Sequence, residues 1–182
     1  KMRALEGLDE YVRVAQGEVP KLVPLKENGV NFLAPVWEGQ KTGWFYDHRL
    51  NRRRVQKLAH GKRVLDVFSY TGGWGVQAAA AGAEAVICVD ASAQALNLVD
   101  QQAALNGVSD KVKSLKGDAF TTMKQLHDEG ERFDMVIIDP PAFIARRKDI
   151  NAGELAYQRA NQLAMRLLKP EGILVSASCS MH

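Results

Sequence analysis

From residue 62 onward, short apolar runs alternate with longer helix-forming stretches. Residues 63–68, 85–89, 112–115, 133–138 and 172–177 read as buried strands. Between them, 74–81 (rich in alanine), 93–106, 119–129 and 155–168 read as helices, with Asn106-Gly107 and Pro170 as helix stops. Five apolar strands that alternate with helices predict a parallel sheet covered on both faces, a doubly wound, Rossmann-like α/β domain. Residues 1 to about 55 follow another pattern. Strands are predicted at 21–26 and 30–36 around Asn28-Gly29, a pair suited to a tight hairpin because both central turn residues need positive φ. A second turn at 38–40 leads to a short strand at 43–46. This small N-terminal β-hairpin unit cannot hold a core alone, so it should dock on the main domain. The expected division is a partial β-rich middle domain and linker at 1–55 and a catalytic core at 56–182. The sequence opens on Lys1 and stops at His182, just past the fifth strand; the expectation is a piece of a longer protein whose further strands complete the sheet.

Composition adds bounds. At 182 residues with 46% hydrophobic and 25% charged positions, the chain can bury one full core. No apolar run reaches the roughly 18 residues that a membrane span needs, and no signal-peptide pattern opens the chain. Two cysteines, Cys88 and Cys179, make no disulfide framework, which points to a reducing cytoplasm. A net charge of +3 decides nothing by its total. Its distribution says more: Arg49, Arg52, Arg53 and Arg54 cluster, as do Arg146, Arg147 and Lys148. Both clusters suit phosphate contacts or a solvated face about equally.

Candidate chemistry lies at the carboxyl ends of the strands, where open α/β sheets bind ligands. The first strand runs out through Asp66-Val67-Phe68-Ser69-Tyr70-Thr71-Gly72-Gly73-Trp74-Gly75. Gly72 and Gly73 allow close backbone approach to a ligand. The Gly-x-Gly-x-x-Gly spacing that seats a pyrophosphate is absent, and Asp66 suits a cationic amino-acid ligand instead. Asp90 ends the second strand at a spacing suited to ribose hydroxyls, although it could equally cap the next helix; Ser92 competes for that cap. Asp118, after the third strand, suits an adenine amino group or a plain helix cap. Asp139 is followed by Pro140 and Pro141, which end strand pairing and hold the chain extended, fixing the acid at the rim. Cys88, on an apolar strand, reads as an inert core residue. Cys179 lies past the fifth strand among serines, at the rim of Asp139, and both could face one planar substrate.

The ordered set of Asp66 to Gly73, Val89-Asp90-Ala91-Ser92, Gly117-Asp118-Ala119-Phe120, Asp139-Pro140-Pro141-Ala142-Phe143 and Ser178-Cys179-Ser180 resembles class I S-adenosylmethionine-dependent RNA methyltransferases. It is most similar to the bacterial 23S ribosomal RNA 5-methylcytosine enzymes that carry a PUA domain, a domain this sequence lacks. The segment from Gly39 to Arg49 also looks like that family, and the likeness runs from about Glu27 to His182. The resemblance implies that Phe68, Ser69, Tyr70, Thr71, Gly72 and Gly73, with Asp66, hold the methionine part of S-adenosyl-L-methionine. It implies Asp90, Ala91 and Ser92 at the ribose, Asp118 and Ala119 at the adenine, Arg49 near the cofactor, Asp139 between cofactor and base, and Cys179 as nucleophile. Many related enzymes carry a second cysteine after the proline of the fourth motif; Ala142 stands there instead.

The implied reaction adds the Cys179 thiolate at carbon 6 of a cytosine, which makes carbon 5 able to take the methyl group. Asp139, protonated or sharing a proton, would hydrogen-bond the ring nitrogen, and the base must be unpaired or flipped out. Phe143 suits stacking on that base or a core role. The sequence names no group to remove the carbon 5 proton. Two other readings stay open: amino-group methylation, which the Asp-Pro-Pro-x-Phe pattern also fits, and a fragment that binds cofactor or RNA without turnover. The expected partner is RNA, in the ribosome before transfer RNA, and self-association through an exposed fifth strand is possible.

Overall fold

The computed structural model describes residue 7, residues 13–37 and residues 43–180. Two strands, β1 (Leu22–Glu27) and β2 (Val30–Pro35), form an antiparallel hairpin. Glu27 pairs with Val30 across a two-residue turn in which Asn28 and Gly29 have φ of 52° and 88°, the turn expected from the Asn-Gly pair. The main sheet is β3 (Arg63–Val67), β4 (Ala85–Asp90), β5 (Val112–Lys116), β6 (Phe133–Ile138) and β7 (Leu168–Ser176), all parallel in the order β5-β4-β3-β6-β7. The strand order reverses between β3 and β6, and the ligand crevice of such a sheet lies above that point.

Among the described residues, five α-helices pack about the sheet: α1 (Arg49–Ala59), α2 (Gly75–Ala80), α3 (Ala93–Leu105), α4 (Ala119–Asp128) and α5 (Ile150–Arg166). Alternating strand residues fill two cores. Val64, Val86, Cys88, Met135 and Ile137 face α1, α2, α3 and the hairpin. Leu65, Val67, Val89, Val136 and Ile138 face α4 and α5. The doubly wound architecture read from the strand pattern is therefore borne out, and Cys88 is fully buried in the first core.

The hairpin docks through side chains that act as a surrogate strand. Gln102 and Asn106, one turn apart on and just after α3, accept from the backbone N–H groups of Leu33 and Asn31 at 2.9 Å each. Their amides donate back to the carbonyls of the same two residues at 2.9 and 2.7 Å. These bonds satisfy the free edge of β2, which would otherwise be left as an unpaired ladder.

Three local expectations are corrected. Residues 43–46 form no strand: Gly43, at φ 90°, lies tight against the Pro35 backbone, and Trp44 enters the core against Phe32, with ring centres 4.4 Å apart. Pro170 does not stop a helix; it lies in β7, where the register with β6 shifts, a site that tolerates the missing N–H. Helix α5 begins at Ile150, earlier than 155, and carries Gly153 inside it. A Cβ there would come within 2.3 Å of Ile144 Cγ1 and 2.9 Å of the Phe143 carbonyl oxygen, so the glycine serves close packing of the preceding loop. The predicted turn at 38–40 lies outside the described residues. No helix among the described residues is long and apolar enough to cross a membrane.

Candidate cofactor and base cavity

A cavity of about 600 Å³ opens at the carboxyl ends of the strands, within the size range of small-ligand sites. Its floor is the loop after β3. Phe68, Tyr70 and Gly72 have φ of 64°, 49° and 82°, and two of these three are not glycine. Such left-handed positions cost energy that the surrounding structure must offset, and they concentrate at ligand clamps. The fold supplies the offset through Asp90, whose Oδ2 accepts from Tyr70 N at 2.9 Å and whose Oδ1 accepts from Ser92 N at 2.8 Å. Ser92 Oγ caps α3 by accepting from Ala95 N at 3.2 Å. Asp118 caps α4: its Oδ1 accepts from the amide and the hydroxyl of Thr121, both at 2.9 Å. Those bonds hold its carboxyl below the ordinary range.

Phe68, Ser69, Tyr70, Thr71, Gly73, Asp90, Ala91, Ser92, Asp118, Ala119, Asp139 and Cys179 all line this cavity. Gly72 stands beneath it, where a Cβ would meet Val76 at 2.9 Å. Arg49 is exposed on the first turn of α1 and is outside the lining. Asp66 is fully buried below the loop and also outside the lining. Its Oδ2 accepts from Gly75 N at 2.8 Å, which ties the loop to the start of α2, while Oδ1 has no partner among the described residues. Burial pushes its pKa up to about 8, with nearby Asp139 and Asp90 adding to the rise.

A carboxyl whose folded pKa lies above its unfolded value binds more protons when folded. Stability from Asp66 is therefore full below the unfolded value of 3.8 and is lost as pH rises toward about 8. Denaturant unfolding across that window should show stability falling with pH, and the Asp66→Asn variant should lose this component. An identical slope in the variant would rule out a protonated Asp66.

Sequence reasoning missed the opposite wall. Trp44, Phe45, Asp47, His48, Arg52 and Trp74 line it. Arg52, expected among solvent- or phosphate-facing arginines, is 3% exposed and reaches back to Glu27, 2% exposed. Its Nε and Nη2 donate to the two carboxylate oxygens at 2.6 and 3.0 Å, and Nη2 also donates to the Phe45 carbonyl. Trp44 Nε1 and Gln77 Nε2 donate to the same carboxylate at 3.1 and 2.8 Å. Burial alone would raise the Glu27 pKa, but the bonds from Arg52, Trp44 and Gln77 outweigh it and hold the carboxyl below its ordinary range. The Arg52 guanidinium lies over Trp44 and Trp74, at 5.3 and 5.8 Å from the ring centres. An Arg-rich run was visible in the sequence; that one member points inward was not.

Asp139 sits where β3 and β6 part. Trp74 Nε1 donates to its Oδ2 at 3.0 Å, and His48 Nε2 stands 3.8 Å from its Oδ1. Cys179 is exposed at the same rim, with Sγ 3.8 Å from the Pro140 carbonyl oxygen. The segment that carries it is tied down next door: Ser180 Oγ accepts from Ile144 N at 3.2 Å and pairs with Tyr157 OH at 2.8 Å. Phe143 packs among Tyr157, Phe120 and Phe68, with ring centres 4.8 to 6.2 Å away. Ala142 lines the cavity beside the prolines.

Residues 9–180 match the family model described as S-adenosylmethionine-dependent methyltransferase. The chain belongs to that family. Its cofactor is S-adenosylmethionine, and the site fits it: Ser69 Oγ, lining the cavity, is buried with no partner among the described residues, and three carboxylates stand at the strand ends. Among curated relatives, the chain is 40% identical over 181 residues to ribosomal RNA large subunit methyltransferase I of Aeromonas salmonicida, covering 98% of this chain and 46% of that protein. The same protein of Vibrio cholerae is 40% identical over 183 residues, with the same coverage. The chain thus spans about half the length of the curated relatives it matches. Among solved structures, SMU.776, described as a candidate methyltransferase and crystallised with SAH, superposes with a TM-score of 0.79 at 28% identity, over 90% of this chain and 43% of that one. A methyltransferase from Agrobacterium tumefaciens shares the fold, with a TM-score of 0.74 at 24% identity over 91% and 56%.

Proposed function

We propose that this family member transfers a methyl group to carbon 5 of a cytosine in RNA, with ribosomal RNA of the large subunit as the substrate. The observation that carries the reading is the shared cavity of Cys179 and Asp139, which follow the neighbouring strands β7 and β6, beside the loop of Phe68 to Gly73. The large-subunit relatives support the choice of RNA.

In this reading the loop amides and Ser69 hold the amino-acid end of the cofactor, Asp90 the ribose, and Asp118 the adenine through the oxygen its cap bonds leave over. The cofactor, when bound, supplies an electrophilic methyl sulfonium. Asp66, neutral below about pH 8, braces the loop without adding a charge beside its ligand. The Cys179 thiolate adds to carbon 6 of the base, and the ring nitrogen takes a proton through Asp139. Trp74 fixes the orientation of Asp139, and the His48 imidazole stands 3.8 Å from it. With Ala142 at the position of a second thiol, Cys179 is the group that adds to carbon 6, and it leaves as the thiolate, breaking the carbon 6–sulfur bond, once a base has taken the carbon 5 proton. Tyr157 and Ser180 position it by anchoring the segment after β7.

Nucleoside analysis tests the reading. After incubation with S-adenosylmethionine and large-subunit ribosomal RNA, digestion should yield 5-methylcytidine as the methylated nucleoside. A product methylated on an exocyclic amine, or cofactor binding without any methylated nucleoside, would overturn it.

A further inference from the structure

The outer face of α1 carries a row of cations that the cavity does not use. Arg49, Arg53 and Lys57 follow at intervals of four residues, and Arg54 flanks them; all are exposed. The inner face of the same helix buries Arg52, Val55 and Ala59, so the row points away from the protein. Four-residue steps rise about 6 Å along a helix, so each cation can reach a separate phosphate of an extended strand. None of the four makes an ion pair among the described residues, whose ion pairs involve other groups. The helix contains no acidic residue.

The row begins at the cavity. Asp47, His48 and Arg52 line the cavity wall, and Tyr46 and Leu50, between and beside them, expose 64% and 73% of their surface. Exposed apolar side chains of this size next to a ligand cavity suit a partner with flat apolar faces. A stacking platform followed by evenly spaced cations is the combination that binds single-stranded nucleic acid. An acidic protein would satisfy the cations but not their repeat from the cavity mouth.

We propose that the outer face of α1 is the track for the single-stranded RNA flanking the target nucleotide, with Tyr46 stacking on a neighbouring base, Arg53 and Lys57 of the row holding phosphates, and Arg54 holding another beside them. The inference rests on RNA as the substrate class, and it assigns a surface that the cavity chemistry does not require. Arg49 is left out of the test because the resemblance also places it near the cofactor.

The test uses a fluorescein-labelled single-stranded RNA oligonucleotide containing unpaired cytidines, titrated at several salt concentrations. Removing one cation that holds a phosphate should reduce the slope of log K against log salt by about 0.7, so R53Q/R54Q/K57Q should reduce it by about 2. Its affinity should fall roughly 10- to 100-fold at about 0.1 M salt, and Tyr46→Ala should weaken binding with the slope unchanged. S-adenosylmethionine affinity, read by calorimetry, should be unaltered in both. The charge-matched control K111Q/K113Q/K124Q, around β5 and on α4, should keep the wild-type slope. An unchanged slope in the α1 variant, or an equal reduction in the control, would overturn the track. If the wild type binds RNA with the expected slope yet forms no 5-methylcytidine, the catalytic reading fails while the track stands.

Discussion

Cys179→Ala should lower cytosine methylation by on the order of 10⁴-fold or more, because carbon 5 has no other route to nucleophilic character once the thiolate is gone. Cofactor affinity should be unchanged. Cys179 is exposed, and its only hydrogen bond among the described residues is a 3.8 Å contact from sulfur to the Pro140 carbonyl, so its removal disturbs little. Transfer of labelled methyl groups to RNA and calorimetry with S-adenosylmethionine measure the two quantities separately. Retained 5-methylcytidine formation in the variant would show that another group activates the base. Cys179→Ser is the stricter control, since it keeps the shape and the hydrogen bond but not the thiolate.

The second large effect is on stability. Glu27→Leu should cost roughly 3–5 kcal/mol, because it leaves the Arg52 charge buried without its carboxylate. For a chain of this size that corresponds to a fall in Tm of roughly 6–20 °C. Trp44 and Gln77 would lose their acceptor in the same change, and the cavity wall formed by Trp44, Arg52 and Trp74 would loosen. Cofactor affinity should therefore fall together with Tm. The double variant E27L/R52M should recover part of the loss, since removing both charges is less costly than stranding one. The pH dependence has a definite sign. The folded pKa of Glu27 lies below its ordinary value of 4.5, so its contribution is full above that value and is lost as pH falls through the folded one. Acid unfolding should thus be less steep in E27L. A variant as stable as the wild type would mean that the pair contributes nothing net.

The sequence carried much of the fold because the signals are local. A strand repeats every two residues, a buried parallel strand is a short apolar run, and Asn28-Gly29 suits a tight turn because both residues accept positive φ. These features fixed the five parallel strands, the helices between them and the hairpin. They also drew attention to Asp66, Asp90, Asp118, Asp139 and Cys179, since residues at or just past the carboxyl ends of the strands of such a sheet lie near its ligand rim.

What local pattern did not determine was direction. Arg52 sits in a run of arginines, yet it is buried against Glu27, twenty-five residues earlier. Asp66 and Asp90 both lie near strand ends, but Asp66 is under the loop and Asp90 lines the cavity, because Asp66 points toward Gly75 and Cys88. Gly153 lies inside α5, where it is the close-contact point for the loop of Phe143 and Ile144. The wall of Trp44, His48, Arg52 and Trp74 is assembled from the segment after the hairpin, α1 and the start of α2, with Gln77 reaching Glu27 from fifty positions away. Composition and period decided which segments became strands and helices. Only packing decided which charged side chains were paired in the interior and which were left facing the cavity, because desolvation and hydrogen bonding depend on neighbours distant in sequence.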